Sequence, residues 1–346
     1  MNSDLKIINP IEYDGWDDLI LKHNDCTFFH TTAWIKVLRN SYNYTPLFFV
    51  RFDGGKIDTI IPMMEINSWL TGSRGVSLPF TDSCNVVVGN KNEISNFFKQ
   101  VISYGKSKSW KYVEFRDNDF HPERSIPSES YFEHYLDINE DIKAIHKSFR
   151  SSTQRNIKKA EKNKLQIEFS FSIDALKIYF NLHRKTRKRQ GIPPQPYSFF
   201  VQIYEHILKE KKGIIGLAKL NSKYIAAMVF FHFGEMAIYK FGASNFKYQH
   251  LRANNLLMWE AIKRYCMEGY HTFYFGRTDE HHDGLRQYKM GWNPRETVIN
   301  YYKYNLLDEQ FEKSNPVSNN FSEYIMGRLP ETLLEILGKV TYKHFG

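Results

Sequence analysis

The sequence predicts an α/β protein of two similar domains, each a mixed sheet flanked by helices, and three observations carry that prediction. The chain has 346 residues, and domains usually run to about 100–200 residues, so two full cores are expected. One order of elements, hairpin then loop then helix then strand, occurs twice. Aromatic residues make up 16% of the chain, with 27 Phe and 22 Tyr, which is ample material for two cores.

The first copy opens with two alternating apolar runs over residues 46 to 66, separated by Asp53-Gly54-Gly55, a hairpin signal. A loop rich in Gly, Ser and Pro follows. Residues 92 to 106 then show apolar positions at helical spacing, and Trp110 to Arg116 alternates as a strand does. The second copy has a hairpin over 213 to 233 turning at Asn221-Ser222, a strand over 237 to 244, a helix over 251 to 269 and a strand over 270 to 275. Matching pieces are offset by roughly 160 residues, too long a period for a solenoid.

A basic helical connector joins the copies. From Asp141 to Lys164 the apolar residues Ile142, Ile145, Phe149, Ile157 and Ala160 share one helical face, and lysines and arginines occupy the rest. A second helix over 173 to 190 ends in Arg184-Lys185-Thr186-Arg187-Lys188-Arg189 and is stopped by Gly191, Pro193 and Pro194. Beyond residue 306 comes a polar stretch, then an amphipathic segment from Phe321 to Lys343 broken by Pro330. It reads as a tail docked on the body, or as a peripheral contact with a membrane or partner. The expected domains are therefore 1–145, 146–305 with the connector at 146–212, and a helical tail at 306–346.

Composition narrows the function. The net charge is +9, which favours phosphate-bearing partners: a nucleic acid, a nucleotide-linked substrate or an anionic membrane. Cys26, Cys84 and Cys266 stand far apart in no zinc or redox spacing. No stretch reaches the roughly 18 apolar residues of a membrane span, and the first thirty residues lack the pattern of a secretion signal. A cytoplasmic protein is expected, with a place at the inner face of the membrane as the second option. GxSxG, HExxH, Walker A and GxGxxG motifs are all missing.

Candidate chemistry concentrates between Tyr239 and Tyr304. Gly242-Ala243-Ser244 ends a strand with small residues that let a ligand come close to the backbone. Arg252, Asn254 and Asn255 open the next helix, where unpaired N–H groups hold anions. Arg277 ends a strand, where it either reaches substrate or pairs with Asp279 or Glu280. Tyr239 and Trp259 read first as core aromatics, with a substrate platform as the other reading for each. His281, His282 and Asp283 lack a further ligand at a suitable spacing, and no metal is expected. Arg150, Arg155, Lys158, Arg187 and Arg189 are expected to contact phosphate, because five cations in residues 184 to 189 repel one another without a partner.

The strings RNIKKAEK (155 to 162), TRKRQGIPPQP (186 to 196), KFGAS, NNLLMWEAI (254 to 262), FGR (275 to 277) and above all GLRQYKMGW (284 to 292) resemble the FemAB-type acyltransferases and related acetyltransferase-like families. The resemblance implies two tandem GNAT-like domains of the acyl-CoA N-acyltransferase fold. It also implies transfer of an acyl group, often an aminoacyl group from charged tRNA, to an amine of a peptidoglycan precursor or other cell-envelope acceptor. Lys289 matches the family lysine proposed to stabilise charge during transfer, Tyr288 the aromatic beside it, and Trp292 closes the same motif among the substrate-lining candidates. A fixed cation lowers the barrier when an amine attacks an ester or thioester and builds an oxyanion, so Lys289→Ala is expected to leave the fold intact and abolish transfer.

Two departures qualify the donor and the acceptor. Ordinary GNAT enzymes hold the coenzyme A pyrophosphate with a Q/RxxGxG/A turn; here Gln249 is present, but Arg252 and Asn254 occupy both glycine positions. That favours aminoacyl-tRNA over acyl-CoA as donor, with no permanently bound cofactor expected. The long helical insertion of some FemAB members is also missing. Two alternatives stay open: an acyl-CoA-dependent N-acetyltransferase acting on an amino sugar or polysaccharide precursor, and a non-catalytic RNA- or membrane-binding module.

Overall fold

The computed structural model describes residues 5–118, 120, 122, 125–139, 141–313 and 326–345. The polar stretch after the second copy and the start of the amphipathic tail at Phe321 lie outside the described residues. The chain divides into a first unit of Met1–Tyr131, Val298–Val317 and Thr341–Gly346, and a second of Phe132–Thr297 and Ser318–Val340.

The first unit contains β1 (Lys6–Ile8), α1 (Trp16–Ile20), α2 (Thr32–Tyr42), β2 (Thr45–Pro46), β3 (Phe48–Asp53), β4 (Lys56–Ile61), β5 (Met64–Ser68), β6 (Gly72–Val76), β7 (Val87–Val88), α3 (Ile94–Ser107) and β8 (Tyr112–Arg116). The β3–β4 hairpin turns through Gly54 and Gly55, both at positive φ, as a two-residue turn requires. Pro62 has no N–H to donate and interrupts the run that follows. As a result β4 joins β1, β3 and β7, whereas β5 pairs with β2 and β6. Strands β6 and β8 are parallel, Gly75 opposite Val113, with α3 crossing between them and packing Phe97 and Val101 on Trp110 and Phe115.

After β6 the chain folds inward. Ser77, Leu78, Thr81 and Cys84 are buried, and the loop is pinned by Ser77 N–H to the Glu114 carbonyl (2.8 Å) and Cys84 N–H to that of Arg116 (2.9 Å). Leu78 and Phe80 hold φ of 43° and 61°, a strained region for such side chains. This loop fills the space beside the carboxyl ends of the parallel pair.

The second unit holds most of β9 (Glu129–Asp137), then α4 (Ile142–Ser148), α5 (Ser151–Lys162), β10 (Gln166–Ser170), α6 (Ile173–Arg189), α7 (Tyr197–Ile203), β11 (Gly213–Leu220), β12 (Lys223–Phe233), β13 (Met236–Ser244), α8 (Ala253–Met267), β14 (Thr272–Asp279) and α9 (Asp283–Met290). Its strands lie in the order β10-β11-β12-β13-β14-β9. Asn221 takes φ 52° in the β11–β12 turn, where the sequence placed it. Adjacent residues of a strand face opposite ways, and here Phe230 packs on Tyr265 of α8 while Phe231 meets Phe241, which packs on Phe199 and Phe200 of α7. Helices α5 and α8 thus share a core on one face, and α6 and α7 cover the other.

Strand β15 (Arg295–Asn305) takes the chain back into the first unit at Val298. There Tyr301 to Asn305 pair with β8, and β16 (Gln310–Glu312) pairs with β15. Helix α10 (Glu331–Thr341) follows near the carboxyl terminus. These bounds differ from the expected 1–145, 146–305 and 306–346. Ile142 and Ile145 of α4 pack into the core of the second unit, and the stretch after 298 returns to β8. The connector from Asp141 to Lys164 is two helices. Phe149 turns extended to pack on Trp259 and Trp292, and the Arg150 N–H donates to the Gly291 carbonyl at 3.0 Å.

Candidate active site of the second unit

Strands β13 and β14 pair only from Met236 opposite Thr272 to Ile238 opposite Tyr274. Both run on, to Ser244 and Asp279, so their carboxyl ends diverge. A bulge contributes: against β12, Phe230 faces Tyr239 and Val229 faces Phe241, which leaves Lys240 extra, and bulges bend and twist the strand that carries them. Gly276 in β14 adopts φ 76°.

Lys289 comes from α9 to this divergence. It is 2% exposed, and its Nζ donates to the carbonyls of Gly276 and Arg277, each at 2.8 Å. The ammonium therefore satisfies strand-end acceptors that a neighbouring strand would otherwise bond. Arg277 is half-buried on the same stretch, beyond the residues of β14 that pair with β13.

Beyond β13, Arg252 caps α8 with φ 62°, the backbone a glycine would adopt. The helix start borders a cavity of about 100 Å³ lined by Ser244, Arg252, Asn254, Asn255 and Tyr288, and the Asn255 N–H donates to the Arg252 carbonyl at 3.0 Å. Asn255 is buried. Tyr288 Oη donates to the Asn254 carbonyl at 3.4 Å, and Asn254 Nδ2 to Ser244 Oγ at 3.5 Å. Residues chosen from three separate stretches of sequence thus meet at one helix end.

Tyr239 sits over Gly242: a Cβ there would fall 1.9 Å from the phenol oxygen. Burial pushes the Tyr239 phenol up to about 12. Burial also raises Tyr288 well above its ordinary value, the nearby Tyr239 phenol adds to that, and the Trp292 indole opposes it. Both phenols stay protonated at neutral pH, and that of Tyr288 acts as a donor.

Several expectations are not met. Trp292 is fully buried, packed on Phe149 and Phe275, so it is a core residue rather than a lining one. Ala243 is also buried, at 4% exposure. The five expected phosphate contacts do not form one cluster: Arg150, Arg155 and Lys158 belong to the α5 side of the sheet, while Arg187 and Arg189 belong to α6 on the opposite face. Arg189 lies over the Phe246 ring at 4.8 Å. His282 caps α9, accepting from the Leu285 N–H.

Sequence reasoning missed a polar network beside Lys289. His134 is fully buried and bonds Glu296 through Nε2 at 2.9 Å, and Arg286 grips the same carboxylate with two donors at 2.9 and 2.6 Å. Arg286 also covers the Phe132 ring at 3.7 Å. Burial lowers the His134 pKa, and the Lys289 charge lowers it further; the Arg286 hydrogen bond holds Glu296 below the usual carboxylate range. Only Arg286, inside the GLRQYKMGW string, had a sequence signal, because His134 and Glu296 are 162 positions apart.

The diverging parallel pair and the helix start at its mouth both lie in the segment of the chain that is similar to a GNAT-type acetyltransferase domain. Residues 147–290 match the family model described as the acetyltransferase (GNAT) domain. The fold resembles the crystal structure of FemX, at 14% identity over 86% of this chain and 96% of that one with a TM-score of 0.67. It also resembles a tandem GNAT protein from the clavulanic acid biosynthesis pathway, at 9% identity over 88% and 99% of the two chains with a TM-score of 0.53. A conserved protein of unknown function from Bacteroides thetaiotaomicron VPI-5482 is similar at 13% identity, 86% and 98% coverage and a TM-score of 0.61. At these identities the likeness is one of fold, that of two tandem GNAT-like domains. No curated protein matches the sequence.

Proposed function

We propose that the protein transfers an acyl or aminoacyl group to an amine of a cell-envelope precursor, in the second unit, where β13 and β14 part. The acceptor amine attacks the ester or thioester carbonyl, the new C–N bond forms, and the alcohol or thiol leaves with a proton. Lys289 supports the negative charge that builds on the carbonyl oxygen. It also fixes the carbonyls of Gly276 and Arg277, which keeps the strand ends apart. Tyr239 and Tyr288 supply protonated phenols, and Gly242 and Ser244 border the acyl channel.

The observation that carries this reading is the buried Lys289 ammonium on the end of β14, past its pairing with β13. The α8 start favours aminoacyl-tRNA as donor. Its cavity of about 100 Å³ is below the roughly 300–1,000 Å³ of small-ligand sites, and Arg252 and Asn254 keep their side chains where a pyrophosphate would need bare backbone. The acetyltransferase family match supports the second reading, acyl-CoA-dependent transfer to an amino sugar. Thermal shift decides between them. A ligand at a hundred times its Kd adds about 2.7 kcal/mol of stability, so stabilisation by coenzyme A but not by charged tRNA would reverse the preference. No acyl transfer to envelope amines from either donor would refute both readings.

A further inference from the structure

Helix α10 is amphipathic, and the face it turns away from the second unit is apolar. Leu334 is 1% exposed and Gly338 is buried. A Cβ on Gly338 would lie 2.0 Å from the Pro194 carbonyl oxygen, so this glycine seats the helix on the chain after α6. Leu333, Ile336, Leu337 and Val340 are 47%, 58%, 37% and 51% exposed. Their spacing of three, four and seven residues places them in one stripe.

Charge separates in the same way. The acidic residues Glu331 and Glu335 both reach Arg184, at 3.2 and 2.7 Å. Lys339 stays exposed beside the stripe and lines a groove of about 430 Å³ together with Phe180, Pro196, Tyr197, Glu335 and Ile336. The outward side of α10 thus presents aliphatic side chains with a cation, and its two carboxylates share the one guanidinium of Arg184.

We propose that this face of α10 binds an anionic lipid surface, with Leu333, Ile336 and Val340 entering the acyl boundary and Lys339 meeting lipid phosphate. Charge selects this occupant over a second copy of the chain, since each copy carries +9 and would repel the other. Area argues the same way: four half-exposed side chains fall well short of the roughly 800 Å² that each partner gives to a standard protein interface. A lipid surface needs only the buried stripe and an attraction between opposite charges. The inference does not rest on the transfer reading, because vesicle binding is measured without turnover.

The test is sedimentation of the full chain with vesicles of phosphatidylcholine mixed with phosphatidylglycerol, and with phosphatidylcholine alone. The protein should pellet with the mixed vesicles, lose binding as salt rises, and stay in solution with the neutral ones. Leu333→Asp and Ile336→Asp should each weaken binding about tenfold at an unchanged melting temperature. Lys339→Glu, which leaves the apolar stripe intact, should weaken binding to the mixed vesicles. Failure to pellet with anionic vesicles would overturn the proposal. So would wild-type binding by both aspartate variants, or light scattering that shows a dimer which those variants dissolve.

Discussion

Lys289 shows at the residue scale what the sequence could and could not indicate. Its motif singled it out, yet nothing in the string GLRQYKMGW says that the ammonium would be buried on two carbonyls. That geometry corrects the expectation for Lys289→Ala: removing a charged donor from two hydrogen bonds worth about 1.5 kcal/mol each should lower stability by about 3 kcal/mol in chemical unfolding, besides any effect on transfer. Gly242 is a simpler case. Gly242→Ala drives a methyl into the Tyr239 hydroxyl, a cost of about 1–3 kcal/mol. Adding Tyr239→Phe should recover most of it, because the next ring atom stands 3.0 Å away. If the double variant melts no higher than the single one, the hydroxyl is not what requires glycine there.

Among the elements, those with strong local periodicity were legible. Helix α6 was expected over 173 to 190 and runs Ile173–Arg189; β13 was expected over 237 to 244 and runs Met236–Ser244. What escaped depends on partners distant in sequence. The break between α4 and α5 comes from Phe149 seeking Trp259 and Trp292, and β9 and β15 carry little pattern of their own. The site divided along the same line. Ser244, Arg252, Asn254 and Asn255 were singled out because each marks an element end, and Tyr288 by its motif, whereas His134 and Glu296 lie within strands and meet only in three dimensions. The start of α8 yields a prediction. Arg252→Gly relieves roughly 1 kcal/mol of left-handed strain and adds chain freedom of nearly that size when unfolded, so stability should rise by at most about 0.5 kcal/mol. If the substituted turn can cradle pyrophosphate, coenzyme A should then stabilise the variant more than the parent in a thermal shift assay, and equal shifts would mean that Arg252 is not the obstacle.

For the whole molecule, buried histidines set the acid limit. His30, His134, His183 and His232 all have lowered pKa values, mainly through burial, and His183, also opposed by Arg187, falls to about 3. An unfolded chain takes up these protons near pH 6.5, before the folded one does. Stability is therefore complete above about pH 6.5 and is lost as pH falls, by up to about 1.4 kcal/mol per unit for each histidine. Denaturant midpoints at pH 7.5 and 5 should show that loss, and His183→Gln should reduce it. The two units also contrast in one respect that reaches beyond stability. Where the second leaves its strand ends apart, in the first Ser77 and Cys84 continue along the end of β8, bonded to the carbonyls of Glu114 and Arg116. Swapping side chains could not open a matching gap in the first unit, because that segment is held through its main chain; an engineer wanting a second catalytic centre there would have to excise and reroute it.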